Sequence, residues 1–224
     1  MNNTRVLAAT LLVCGSAVLA QSPSTEQRIS AVRQAVLQNQ SKLRGYQWLE
    51  TTEVSIKGEL KNRRQAEFRY GADGRIQKTP VGAPSAPNNP RGLKGKLAAG
   101  KIEEMENYIE RLGSLVSRYL PPNPDSMQAA FKSGRAAIDS SSGSIVFTDY
   151  AKAGDKVTFQ FDPSAKRLSV IRVATYLDNT QDPVAIDVTF EALPDGTNTT
   201  GQSIIDATAK QIRIKTTNSD HKKV

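Results

Sequence analysis

The sequence predicts an α+β protein: one strongly curved antiparallel sheet, a half-barrel, with an N-terminal helix and an inserted helical lid. Three observations predict it. Most of the chain alternates apolar and polar residues with a period of two, between short turns, and consecutive strands of that kind pair antiparallel. Two stretches break into helical spacing, one before the first strands and one between two groups of strands. A sheet that is apolar on one face needs a cover, and those helices are the only cover available. Eight to ten strands tend to curl, roughly at the size where open sheets stop lying flat.

Residues 1–20 read as a secretory signal peptide. Arg5 supplies the positive start, 6–13 a short apolar run, and Val18 and Ala20 the small residues of a cleavage site before Gln21. The run is too short to span a membrane as a helix. Cys14 follows Val13 rather than a small residue, so lipidation there is not expected. The division expected is a signal peptide over 1–20 and a single half-barrel domain over 21–224, with the lid at about 100–134. Cleavage after Ala20 places the protein in the periplasm or outside the cell, and removes the one Cys.

Ser24-Thr25-Glu26-Gln27 reads as a capping box, and Ile29, Val32, Val36 and Leu43 continue it as a helix over about 25–44, with Gly45 at its end. Tyr46, Trp48, Val54 and Ile56 then share one face of a strand, with Trp48 expected under the helices. Leu60, Ala66, Phe68 and Tyr70 share a face of the next, and a third is expected over 75–79. A three-residue turn at Lys57-Gly58-Glu59 would pair even positions with even ones. It would set Thr52 opposite Arg64 and Glu50 opposite Ala66, bringing the charges of Glu50 and Arg64 together within the sheet. Pro80, Pro84, Pro87 and Pro90 predict an irregular loop over 80–95.

Helical spacing returns over 101–119, with Ile102, Met105, Ile109, Leu112, Val116 and Tyr119 on one side, and a second helix runs from Asp125 or Ser126 to Gly134. The remaining strands are expected over 145–150, 157–161, 168–176, 184–190, 203–206 and 210–216, with a turn at Leu193-Pro194-Asp195-Gly196. No internal repeat is present.

This order of elements resembles the periplasmic half-barrel proteins of the LolA-like lipoprotein-carrier group, which includes anti-sigma-factor regulators of the RseB kind. The matching stretches are the helix from Thr25, the strands from Tyr46, the helices over 101–134 and the strands from Ile145. The phrases Tyr46-Gln47-Trp48-Leu49-Glu50 and Leu193-Pro194-Asp195-Gly196-Thr197 also look like those of bacterial secreted proteins. The resemblance implies a protein that binds acyl chains or lipidated peptides without catalysis. It carries over no site residue.

Composition narrows the chemistry further. With one Cys and one His, neither a zinc site nor a Cys-rich redox centre can be built, and no cofactor or metal is expected. Gly95-Lys96-Leu97-Ala98-Ala99-Gly100-Lys101 resembles a phosphate-binding loop, but Ile102 replaces the Ser or Thr that holds magnesium, and no strand precedes it. His221 is expected in a frayed tail. The net charge of +8, which becomes +7 once Arg5 leaves with residues 1–20, suits peripheral contact with anionic envelope surfaces. Nucleic acid is not an expected partner in that compartment. Asn39-Gln40-Ser41 and Asn198-Thr199-Thr200 match the glycosylation pattern, but the bacterial look of the chain argues against its use.

The reading is therefore a non-enzymatic envelope protein holding an apolar ligand, such as a lipid or the acyl chain of a lipoprotein. The candidate lining residues are Trp48, Glu50, Val54, Arg64, Phe68, Ile102, Met105 and Ile109. The alternative is an interaction or regulatory module whose core is filled and whose partner is another envelope protein.

Overall fold

The computed structural model describes residues 25–82, 93–139, 141–162, 164 and 167–224. The signal-peptide reading, Cys14 and the Ser24 cap lie outside them. Helix α1 (Thr25–Leu43) leads into strands β1 (Tyr46–Ile56), β2 (Glu59–Tyr70) and β3 (Ile76–Val81). Helices α2 (Leu93–Val116) and α3 (Pro124–Lys132) follow. Strands β4 (Ala136–Asp139), β5 (Ser144–Thr148), β6 (Lys156–Asp162), β7 (Arg167–Tyr176), β8 (Pro183–Ala192), β9 (Asn198–Ala207) and β10 (Ile212–Lys223) complete the chain. The ten strands form one antiparallel sheet in the order β3-β2-β1-β10-β9-β8-β7-β6-β5-β4. Strands β3 and β4 are its free edges, so the sheet is open and the architecture is the α+β half-barrel that the alternation predicts.

Its bends have a local cause. Register shifts interrupt the β1–β2, β1–β10, β6–β7 and β8–β9 ladders. Each inserts an extra residue on one strand, which bends that strand and increases its twist.

The registers make every strand contribute to one inner face. One row crosses it as Ala136, Phe147, Val157, Val173, Ile186, Ile205, Ile214 and Val54. The face from β4 to β10 packs against Tyr108, Leu112 and Leu115 of α2, against Tyr119, and against Met127 and Ala130 of α3 in a single core. That core is filled by its own side chains: Phe147, Leu112 and Ile171 are fully buried. Helix α1 contacts α3 and β9. The Asn39 amide is clamped to the Asn198 backbone, donating to its carbonyl at 2.6 Å and accepting from its N–H at 2.7 Å.

Several boundaries differ from the sequence expectation. Lys57 (φ 54°) and Gly58 (φ 79°) make a two-residue turn, not a three-residue one. Both residues have positive φ, as a tight hairpin of this length requires. Ile56 thus faces Glu59, and Lys61 is left as the extra residue of a bulge, which restores Thr52 opposite Arg64 and Glu50 opposite Ala66. The bulge also turns Leu60 off the inner face, where it is 57% exposed. Pro80 belongs to β3 rather than to the loop, since an edge strand tolerates the missing N–H. Residues 83–92 of that loop lie outside the described part. Helix α2 begins at Leu93, so Gly95 to Lys101 is helical and forms no phosphate cradle. Strand β4 is additional, β9 begins at Asn198 and β10 runs on to Lys223.

His221 therefore sits in a strand, not in a frayed tail. The end of β10 is tied down by Lys223 Nζ to Asp195 at 3.0 Å and by the Val224 N–H donating to the Gly45 carbonyl at 3.0 Å.

Candidate functional site

The helices cover only part of the inner face. The next row shows where the cover stops: Ile138, Ile145, Phe159, Ile171 and Val188 lead into Ser203, Thr216, Thr52 and Arg64. The same row is apolar beneath the helices and polar beyond them. No residue of β2 or β3 joins the core cluster, and β1 reaches it only through Val54 and Ile56. Beyond Ser203 the inner face forms an open groove of about 760 Å³. Its lining from β1 is Glu50 and Thr52, from β2 Asn62, Arg63, Arg64, Gln65 and Ala66, and from β3 Lys78, Pro80 and Val81, with Gly82 just beyond.

An aromatic wall flanks the groove. Trp48 stacks on Phe68 with ring centres 5.8 Å apart and planes at 14°, and meets Tyr70 at 6.0 Å. Lys78 Nζ sits 5.4 Å from the Phe68 ring centre. Opposite Trp48, Asp220 and His221 form a bulge in which Asp220 has φ 54°. The bulge brings the His221 ring to 6.5 Å from Trp48. Its Nε2 lies 3.2 Å from Thr199 Oγ1, and burial lowers its pKa.

Trp48 is thus partly buried among aromatic rings at the groove rather than beneath the helices, as the sequence suggested. The physical reason is the breadth of the sheet: the core built on α2 and α3 ends at β1.

Glu50 stands at the centre. Its Oε1 accepts from Thr52 Oγ1 at 3.2 Å. Burial raises its pKa above the ordinary carboxylate value, against the opposing effects of the Thr52 bond and the Lys78 charge. The expected ion pair with Arg64 does not form: Arg64 is exposed and no ion pair joins the two. The cation that acts on Glu50 is Lys78, from the next strand. Two buried polar atoms beside Glu50 have no hydrogen-bond partner: Nε1 of Trp48, two residues along β1, and Oδ1 of Asn218, directly opposite on β10.

The structure therefore divides the predicted lining residues. Glu50 and Arg64 line the groove, and Trp48 and Phe68 stack beside it without lining it. Val54, Met105 and Ile109 pack against the filled core, and Ile102 on α2 is 47% exposed. Sequence reasoning did not single out Thr52, Lys78 and Asn218 as site residues. Their signal was available only through strand pairing, because each is an isolated polar residue at a register position opposite a residue already singled out. Among the described residues no group of three or more His, Cys, Asp or Glu could hold a metal ion, and no helix is long and apolar enough to cross a membrane.

The elevated Glu50 pKa has a consequence for stability. The folded state binds this proton more tightly than the unfolded chain. The resulting stabilisation is complete below the unfolded-state pKa and is lost as pH rises through the folded-state value. Glu50→Gln, which can still accept from Thr52, is expected to be more stable than the parent at neutral pH. That advantage should shrink as the pH falls toward about 4, near the ordinary carboxylate value. Urea unfolding at several pH values measures it; equal stability across the range would mean that Glu50 is solvated.

The class these features define is the open α+β half-barrel, with a helical pair over one half of its inner face and a groove on the other. Solved structures similar to this chain include a LolA superfamily protein from Nitrosomonas europaea. It is 13% identical, with 86% of this chain and 94% of that one covered, at a TM-score of 0.39. They also include a DUF1329 family protein from Desulfovibrio piger, 7% identical over 88% of this chain and 93% of that one, also at 0.39. No protein-family model matches the chain, and no curated protein matches it in sequence.

Proposed function

We propose that this is an exported, non-catalytic binding protein that holds an amphiphile, such as a lipid or the lipidated end of a lipoprotein, on the uncovered half of its inner face. One observation carries the reading: the inner face changes from apolar and filled to polar and open along a single row of paired residues, at Ser203. An amphiphile matches that gradient. Its polar end meets Arg64 and Lys78, and its first carbons meet Ala66, Pro80 and the Trp48–Phe68 stack. The filled core argues against an acyl chain lying under α2 and α3, since inserting one would require separating fully buried side chains. Export rests on the three-part pattern of residues 1–20.

Trp48 is the only tryptophan, so its emission reports on the groove alone. Titration with a short-chain phospholipid below its micelle concentration is expected to give a saturable change in intensity or wavelength. A flat response over the accessible range would count against the reading.

A further inference from the structure

We propose that the groove recognises a zwitterionic headgroup, a phosphate joined through two carbons to a primary ammonium, as in phosphatidylethanolamine. This rests on the amphiphile-binding reading and names its ligand class. The groove does not present one sign of charge. Its floor holds an acceptor, the Glu50 carboxylate, and behind it, directly across the β1–β10 ladder, lies the buried Asn218 Oδ1, which has no hydrogen-bond partner. Its flanks hold the cations Arg64 and Lys78, neither of them in an ion pair among the described residues, and Arg63, which pairs with Glu53 at 3.5 Å. Buried polar atoms in folded proteins are nearly always partnered, so an orphan acceptor beside a half-buried carboxylate marks a place where a donor is missing.

A primary ammonium supplies it. It carries a positive charge for Glu50 and three N–H donors, enough for Glu50, Asn218 Oδ1 and the Thr52 hydroxyl oxygen. The phosphate then falls to the flanks. Arg64 is a diagonal neighbour of Glu50 across the β1–β2 ladder, within reach of long side chains. Its guanidinium matches a phosphate in planar, two-point geometry, and Lys78 adds a point charge. The second orphan, Trp48 Nε1, is a donor and suits a phosphate or ester oxygen. A purely anionic head leaves Glu50 repelling it and Asn218 unsatisfied. A quaternary ammonium has no N–H to give. The adjoining Trp48–Phe68 stack points to a lipid rather than to the free headgroup, because soluble phosphoethanolamine has no carbon chain to cover those rings.

The test compares short-chain phosphatidylethanolamine, phosphatidylglycerol and phosphatidylcholine of equal chain length, and soluble O-phosphoethanolamine, by Trp48 emission and calorimetry. Phosphatidylethanolamine is expected to bind at least about tenfold more tightly than the other two lipids, the effect of one well-formed charged contact. Glu50→Gln is expected to abolish that preference, weakening phosphatidylethanolamine binding and strengthening phosphatidylglycerol binding by removing the charge that repels its head. The double variant R64Q/K78Q is expected to weaken both. Equal binding of phosphatidylethanolamine and phosphatidylglycerol, or a preference that survives Glu50→Gln, would overturn the headgroup assignment and leave the amphiphile reading standing. O-phosphoethanolamine binding as tightly as the lipid would overturn the assignment to a lipid. Failure of all three lipids to bind would overturn both readings. Urea unfolding of each variant confirms that the fold is kept.

Discussion

Asp155→Ala is expected to lose at least about 3 kcal/mol of stability, because each buried donor left without an acceptor costs roughly 1–3 kcal/mol. Asp155 lies in the connection before β6 and is almost fully buried. One carboxylate oxygen accepts from the Tyr150 N–H at 2.6 Å. The other accepts from the N–H groups of Ala151 and Lys152, each at 2.9 Å, and from the Tyr119 hydroxyl at 2.8 Å. Tyr119 also shares a 2.9 Å hydrogen bond with Thr175, and burial raises its pKa. A single carboxylate therefore folds the β5–β6 connection and fixes the chain just after α2 to the sheet. Asp155→Asn keeps the size and one acceptor oxygen but turns an NH2 toward the donors of the other, so it should recover only part of the loss. Urea unfolding reads both; a loss under about 1 kcal/mol, the range of an ordinary surface change, would show that the loop closes without this acceptor.

Phe147→Ala is expected to cost about 3–5 kcal/mol, the usual range for truncating a fully buried aromatic ring. Phe147 has no exposed surface and meets Phe159 edge-on at 5.4 Å and 80°, and Tyr150 at 5.6 Å and 63°. Such pairs add about 0.5–1.5 kcal/mol beyond the area they bury. The contrasting variant is Phe68→Ala. Phe68 is only partly buried and stacks on Trp48 at the groove, so its truncation should cost clearly less stability and should weaken ligand binding. Phe147→Ala should do the reverse: it loosens the helix-covered half while a protein that stays folded binds as before. Equal losses of stability from the two would contradict the division of the inner face into a filled half and an open one.

That division explains which parts of the fold the sequence disclosed. Val157 and Phe159, and Val184, Ile186 and Val188, alternate cleanly because one side of each strand is sealed under helices and the other meets water. The second half of β10, from Thr216, carries no apolar alternation because it lies across from the uncovered part of β1, so the strand seemed to stop there. The polar start of β9, Asn198 to Gln202, was hidden for a different reason: Asn198 and Thr199 are buried although they are polar, so no apolar alternation marks them. Strand β4 was missed because it is a four-residue edge with only Ala136 and Ile138 facing inward. Helical spacing located α2 but did not rank its faces: Tyr108 and Leu115 are buried, whereas Ile102 is exposed.

The site was half legible for a related reason. Glu50 and Arg64 drew notice as charges interrupting apolar faces, and their register was anticipated correctly. An ion pair between them is required only where both are covered. An open groove removes that necessity: Arg64 extends to water, while Glu50 keeps Thr52 and the field of Lys78. The orphan atoms of Trp48 and Asn218 had no sequence signal, since satisfaction of a hydrogen bond depends on a partner that pairing alone supplies.

The most direct measurement of where the ligand lies is photo-crosslinking with a phospholipid that carries a diazirine near the head of its acyl chain, followed by peptide mapping. Labels are expected on β1, β2 and β3, within residues 46–82, and are expected to be lost when unlabelled lipid competes. Labels confined to α2, α3 and strands β5 to β8 would place the ligand under the helices and contradict its placement at the groove.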